Sequence, residues 1–323
     1  MSLHRVVWHL VGVIVSVVSA QAWGQSWPVK PVRMILSQPA GTSVDISARL
    51  IADRLGRDWG QQVVVDNRPG GQNVVGSQAA ARASADGYTF FYATTAALVI
   101  NPLTFKALPY DVERQFVPVG LVAKSPLVLA THVGVEAKSL AELVQLDRQA
   151  PGKLAIANEG PRTFGGMVSA MLNHATGMKL LQVPYPGVPA AIQDTVAGRT
   201  QAVLVSSAAI QPFVKRGELR GIAVSLGKRV VGLEDLPPIG EAYPGFEYVG
   251  WFAVMAPTGT PIDAITKFNR DLNRVLAETE VAQRLRDLGA LPEPGPVEAL
   301  SAFLIDEKAR WQKVVATLSM TPE

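Results

Sequence analysis

The feature that most constrains this chain is a repeated order of short apolar, often β-branched strands and amphipathic helices, each change of period marked by a Gly-, Pro- or Asn-rich turn. An apolar run at 32–36 ends in the turn cluster Gln38-Pro39-Ala40-Gly41-Thr42-Ser43, and a helical pattern follows with Val44, Ala48, Ile51 and Leu55 on one face. Val63-Val64-Val65 closes on Asp66-Asn67-Arg68-Pro69-Gly70-Gly71; an alanine-rich helix, a turn at Asp86-Gly87 and a strand at 89–93 come next. This βαβαβ order specifies a parallel sheet with helices on its faces. The middle of the chain repeats it. Strands are expected at 127–131, 154–157, 179–183, 202–205 and 219–224, and the helices between them stop at Pro151-Gly152, Gly177, Gly198 and Gly217. Ser139-Leu140-Ala141-Glu142 opens the first of these helices as a capping box. After a strand at 248–255, Thr260 is expected to cap a helix with Pro261 at its first position and Asp263 in its first turn. Two more helices follow, broken at Gly289 and at 292–296.

Composition excludes several function classes. A length of 323 residues suits about two domains. Lys+Arg 30 against Asp+Glu 27, spread along the chain, leaves no basic stripe for nucleic acid. Cysteine is absent, which excludes disulfides, thiolate nucleophiles and cysteine-ligated metals. Of four histidines, His4 and His9 lie in the N-terminal segment, while His132 and His174 are far apart and outside any catalytic or metal motif. No Ser-His-Asp triad, multi-histidine metal site or cofactor is expected.

The N-terminus reads as an export signal. His4 and Arg5 give a basic start, and 6–19 is an almost continuous apolar run. That run is shorter than the roughly 20 residues a bilayer span needs. Ala20-Gln21-Ala22 supplies small residues at both places of a cleavage site. Residues 1–22 are therefore expected to be removed. They carry one arginine and no acid, so the charge falls from +3 to +2.

Gly70-Gly71-x-x-x-x-Gly76 follows a strand, yet it lacks both G-x-G-x-x-G spacing and a Gly-Lys-Ser/Thr ending, so it reads as a turn. Asp66, Asp86, Asp111 and Glu113 are scattered near turns, as solvated acids and caps are. Ser37, Ser43, Ser206 and Ser207 lie near strand ends outside any G-x-S-x-G motif and serve better as hydrogen-bond donors than as nucleophiles. What recurs is small polar residues after the carboxyl ends of strands: the 38–43 loop, Thr94-Thr95, Asn158-Glu159-Gly160-Pro161-Arg162-Thr163, Pro184-Tyr185-Pro186-Gly187 and Ser206-Ser207. Ligands of open α/β sheets bind outside those ends. Several of these loops open helices, whose free N–H groups suit an anion. Arg162 is the one strong cation among these turn residues.

Longer segments carry a resemblance. "KPVRMILSQPAGTSVDISARLIADRL" at 30–55, "QQVVVDNRPGGQNVVGSQAAARASADGYTFFYATT" at 61–95, "INPLTFKALPYD" at 100–111, "VPYPG" at 183–187, "LPPIGEAYPGFEYVGWFAVMAPTGTP" at 236–261 and "LSAFLIDEKARWQKVV" at 300–315 resemble, in order, the Bug-type receptors of tripartite tricarboxylate transporters. The resemblance implies a type II-like, two-lobed periplasmic binding protein, each lobe a mainly parallel sheet flanked by helices, with the ligand cleft between lobes. It implies lobe 1 at 28–123 and 252–323, lobe 2 at 124–251, and crossings near Lys124-Ser125-Pro126 and Val249-Gly250-Trp251. It further implies a monomeric periplasmic receptor, not an enzyme, that needs no cofactor and delivers a small carboxylate to membrane transporter subunits. The candidate ligand contacts are Gln38, Ala40, Gly41, Thr42, Ser43, Asp45, Thr94, Thr95, Asn158, Arg162, Thr163, Tyr185, Gly187 and Ser206.

The chain departs from the family pattern mainly in lobe 2. Pro161, Arg162 and Phe164 replace small residues, and Gly166 stands where a histidine is common. Gln201 and Val205 stand where acids are common, and Pro186 stands where lysine is common. Loss of the acids favours a simple acid over an amino acid as ligand, and Arg162 is the expected partner of its carboxylate. Two alternatives share the fold: a ligand sensor for a signalling partner, and an exported enzyme, which the histidine and cysteine counts disfavour.

Overall fold

Strands form where β-branched and aromatic residues cluster between turns. In this computed structural model, which describes residues 27–229 and 235–322, they are β1 (Val32–Leu36), β2 (Val63–Asn67), β3 (Thr89–Thr94), β4 (Phe116–His132), β5 (Ala155–Asn158), β6 (Leu181–Pro184), β7 (Ala202–Ser206), β8 (Leu219–Val224), β9 (Val249–Pro257) and β10 (Leu291–Pro292). The longer helices are α1 (Ser43–Trp59), α2 (Val74–Ala81), α3 (Leu140–Gln149), α4 (Phe164–Thr176), α5 (Val188–Val196), α6 (Ser207–Lys215), α7 (Ile262–Ala277), α8 (Thr279–Asp287) and α9 (Val297–Thr317). The expected export segment at 1–22 lies outside the described residues. No described helix is long and apolar enough to cross a membrane.

The strand order is β2-β1-β3-β9-β4-β7-β5-β6, with β8 and β10 also paired to β4. Two parallel triplets, β2-β1-β3 and β7-β5-β6, are the expected βαβ units. Between them, β9 and β4 add antiparallel pairs, so the sheet is mixed. β4 serves both parts: its residues 116–126 pair with β9, and 127–132 pair with β7 and β8. Ser125 lies opposite Gly250, Lys124 opposite Trp251 and Pro126 opposite Val249, so the two expected crossings are cross-strand partners. The first part of β4 goes unpredicted because Pro118, Gly120 and Pro126 read as strand breakers. Register shifts at Pro118/Gly120 and Leu121/Ala123 take up the first two.

Apolar side chains fill both faces. Phe90, Tyr92, Val254, Phe268 and Leu272 form one buried cluster with α1 and α7. Phe91, Ala93, Met255 and Trp311 belong to another, and Val128, Val203, Ile192 and Ile210 to a third. At the start of α3, Ser139 accepts a hydrogen bond from the Glu142 N–H (3.2 Å), but the Glu142 carboxylate reaches the N–H of Lys138 (2.7 Å), one residue outside the expected box. Thr260 does not cap α7. Its hydroxyl turns back to donate to the Pro257 carbonyl (2.7 Å), and Pro261 occupies the cap position. The helix needs no side-chain acceptor at one of its first donors because Pro261 and the exposed first turn leave those groups to water.

Candidate ligand-binding cleft

The carboxyl ends of β1, β3, β5 and β7 and the crossing region of β4 and β9 open on one cleft of about 790 Å³. That volume falls in the range of small-molecule sites.

One wall is the loop from β1 into α1. Asp45 is buried (2% exposed) and organises it. Its carboxylate accepts from the Gly41 N–H (2.9 Å), Arg49 Nε (3.0 Å) and Asn67 Nδ2 (2.8 Å). Burial by itself raises the carboxyl; the bonds from Arg49, Gly41 and Asn67 outweigh it and hold the group below its ordinary range. Thr42 caps α1, its hydroxyl accepting from the Asp45 N–H (3.3 Å). Gly41 turns the chain at φ 82°, a conformation that favours glycine. Ser37 and Gln38 both donate to Asn73 Oδ1, at 2.9 and 2.7 Å. Ser43 and Val44 line the cleft, and their first-turn N–H groups have no intrahelical acceptor, so this end of α1 presents donors to an anion. Gly76 also has a packing reason. A Cβ there would lie 2.6 Å from Ser37 Cα, so the glycine lets α2 rest against the end of β1.

At the end of β3, Thr94 accepts from the Ala97 N–H (3.4 Å), and buried Thr95 accepts from the Trp251 N–H (2.9 Å), tying β3 to β9. Both threonines line the cleft.

The opposite wall follows β5. Asn158 is buried and turns inward, its Oδ1 accepting from the Gly160 N–H (2.8 Å) and its amide bonding Gln182. Glu159 faces the open cleft. It keeps contact with solvent, but the surrounding walls desolvate its carboxyl enough to push it above the usual range. Thr163 caps α4, accepting from the Gly166 N–H (3.1 Å) and donating to the Gly160 carbonyl (2.8 Å). A Cβ on Gly166 would lie 1.8 Å from the Gly160 carbonyl oxygen, so this loop has no room for any side chain there. Arg162 lines the cleft, but its Nη1 donates to the Thr321 carbonyl (2.8 Å) rather than turning to Glu159. Ser206 lines the cleft, and Ser207 donates to the Gly289 carbonyl (3.2 Å).

The structure thus brings Gln38, Gly41, Thr42, Ser43, Thr94, Thr95, Arg162, Thr163 and Ser206 together around one space. Ala40, Asp45, Asn158, Tyr185 and Gly187 are not on its lining. Asp45 and Asn158 shape the loops from behind. Tyr185 packs on a core cluster and donates its hydroxyl to Asp194 (2.9 Å), and Gly187 precedes α5, whose Val188 and Pro189 line the cleft instead. Sequence reasoning missed Asn73, Asn101, Phe164, Trp251, Phe252 and Leu288. Asn73 was findable: it follows a Gly-Gly pair and adopts φ 78°, which asparagine tolerates. The apolar residues carry no local signal, because distant segments bring them in. Among the described residues, no group of His, Asp and Glu could hold a metal ion.

Comparison with known proteins agrees with this geometry. The model of the tripartite tricarboxylate transporter family receptors matches residues 47–320. Protein BugT of Bordetella pertussis is 31% identical over 95% of this chain and 95% of its own. Among solved structures, R. palustris Rpa4515 with adipate is 32% identical, with a TM-score of 0.84 over 92% of this chain and all of that one. MatC from Rhodopseudomonas palustris with bound malate is 27% identical, with a TM-score of 0.77 over 90% of this chain and all of that one. A family match across nearly the whole described chain, on a two-part α/β fold with its cleft at the strand ends, makes this protein a member of the tripartite tricarboxylate transporter receptor family, of the Bug type.

Proposed function

We propose that this protein is a periplasmic receptor that captures a small carboxylate in the cleft and delivers it to a tripartite tricarboxylate-type membrane transporter. The observation that carries this reading is the convergence of neutral donors on one small space: the first turn of α1 and the hydroxyls of Thr42, Ser43 and Thr94. Such a site holds a carboxylate by oriented N–H and O–H groups. The relatives solved with adipate and malate support the ligand class. In this reading the chain is exported, cut after Ala22 and works as a monomer. Its lobes are 28–123 with 252–323, and 124–251. They close by a hinge at the facing Ser125 and Gly250, where the paired strands β4 and β9 carry the chain between the two lobes.

A thermal-shift screen of carboxylates on the mature protein tests the proposal. A ligand at 100 times its Kd adds about 2.7 kcal/mol of stability. Absence of a shift with every mono-, di- and tricarboxylate in a broad panel would refute it.

A further inference from the structure

We propose that Glu159 makes the cleft selective for a carboxylate that also carries a cationic nitrogen, with the Glu159 carboxylate receiving the ammonium group. This rests on the receptor reading and names its ligand class. The lining contains two charged side chains, Glu159 and Arg162. Arg162 is engaged by the carbonyl of Thr321, in the C-terminal segment. Glu159 has no hydrogen bond or ion pair with any described residue, and desolvation is the one influence on its carboxyl. Its Oε2 lies beside Gly165 in the first turn of α4, 3.3 Å from where a Cβ would sit. The N-terminal end of α4 therefore has a built-in negative charge next to it, and its Gly166 N–H is already taken by Thr163.

The two walls consequently differ in polarity. The α1 side presents N–H donors to a carboxylate, while the α4 side presents a carboxylate of its own. A dicarboxylate spanning the cleft would set its second acid against Glu159, and closing the lobes would bury that repulsion. An ammonium at the same place removes it and gives a partner to an acid that stands exposed on the cleft wall with no hydrogen bond to any described residue. Gln201 and Val205, which stand where the family resemblance puts acids, favour a simple acid. Gln201 lies away from the cleft, accepting from the Ala155 N–H (2.9 Å), so an acid at 201 would not have faced the ligand in this chain. Glu159 supplies from the other strand end what Val205 does not.

Calorimetry on the intact mature protein with two matched pairs, malate against aspartate and adipate against 6-aminohexanoate, tests this. The nitrogen-bearing member of at least one pair should bind about tenfold or more tightly than its partner. Glu159→Gln should remove that preference, Glu159→Asp should keep part of it, and both variants should unfold at the wild-type temperature. Tighter binding of the dicarboxylates, with Glu159→Gln leaving every affinity unchanged or improving that of the dicarboxylates, would overturn the assignment and leave the receptor reading standing. A result in which neither nitrogen-bearing acid binds, while other carboxylates do, overturns it equally. If no carboxylate binds the wild type at all, both readings fall.

Discussion

The two walls of the cleft are held in different ways. The α1 wall is local: Ser37, Gln38, Gly41, Thr42, Asp45, Asn67 and Asn73 bond mainly to one another, within 37 residues of sequence. The α4 wall depends on the far end of the chain. Phe164 packs on Trp311 of α9 with ring centroids 5.5 Å apart, Trp311 packs on Tyr248 at 6.0 Å, and Arg310 donates to the Glu247 carbonyl (2.7 Å). Buried Glu307 of α9 accepts from Trp251 Nε1 (2.8 Å), reaching the lining itself. A wall stitched by short-range hydrogen bonds is organised before ligand arrives. A wall resting on one distant helix moves when that helix moves, and that is the wall carrying both charges.

Removing the distant support gives the largest effect. Trp311 is fully buried, so Trp311→Ala should cost about 3–5 kcal/mol in denaturant unfolding, with ligand affinity falling further than the matching change in the α1 wall produces. An unchanged affinity in a folded variant would show that the α4 wall stands without α9. Next in size is Gly166→Ala. Its Cβ meets a backbone oxygen rather than a flexible side chain, so the 160–163 turn must open. We expect about 3 kcal/mol of destabilisation, read as a lower unfolding midpoint, together with weakened binding.

The supports of the two walls should also separate by pH. Asp45 has a lowered folded pKa, so its stabilisation is present above the ordinary carboxylate range and is lost as pH falls through the lowered value. Glu307 behaves oppositely. Burial raises it, against the bonds from Trp251 and Trp311 and the charge of Arg310, so the folded state gains stability as pH falls through the raised value. In unfolding midpoints measured from pH 7 to pH 3, Asp45→Asn should cost about 2 kcal/mol at neutral pH and flatten the acid limb. Glu307→Gln should remove the earlier gain instead. Identical pH profiles for the two variants would contradict this difference between the walls.

The same contrast explains what the sequence disclosed. The parallel triplets, the 38–43 loop and the Ser139 cap of α3 are legible because strand period, turn residues and caps are local signals. Thr95, Asn158 and Tyr185 were read as ligand contacts because polar residues at strand ends are the right type. Nothing in the sequence shows that Thr95 bonds the backbone of Trp251, that Asn158 turns to Gly160, or that Tyr185 turns to Asp194. Trp251 and Phe164 were invisible as cleft residues because their places depend on pairing and packing across more than a hundred residues.

The smallest expected effect concerns Arg162, the cation that the sequence offers to a ligand acid. For it to meet a carboxylate in the cleft, its guanidinium must leave the Thr321 carbonyl, which it reaches at 2.8 Å. That exchange trades one partner for another, so the net gain is far below that of a new buried pair. It would also bring a cation next to Glu159, which competes for it with the ligand. Arg162→Ala is therefore expected to change affinity by about tenfold or less, within the range of a half-exposed polar contact. If calorimetry instead shows a loss of a hundredfold or more, the arginine swings inward on closure and the α4 wall presents positive as well as negative charge. Deleting residues 318–323 separates the two cases. If the arginine is held by the C-terminal segment, the deletion should leave it available to the ligand and bind dicarboxylates more tightly; if it already contacts the ligand, the deletion should change nothing.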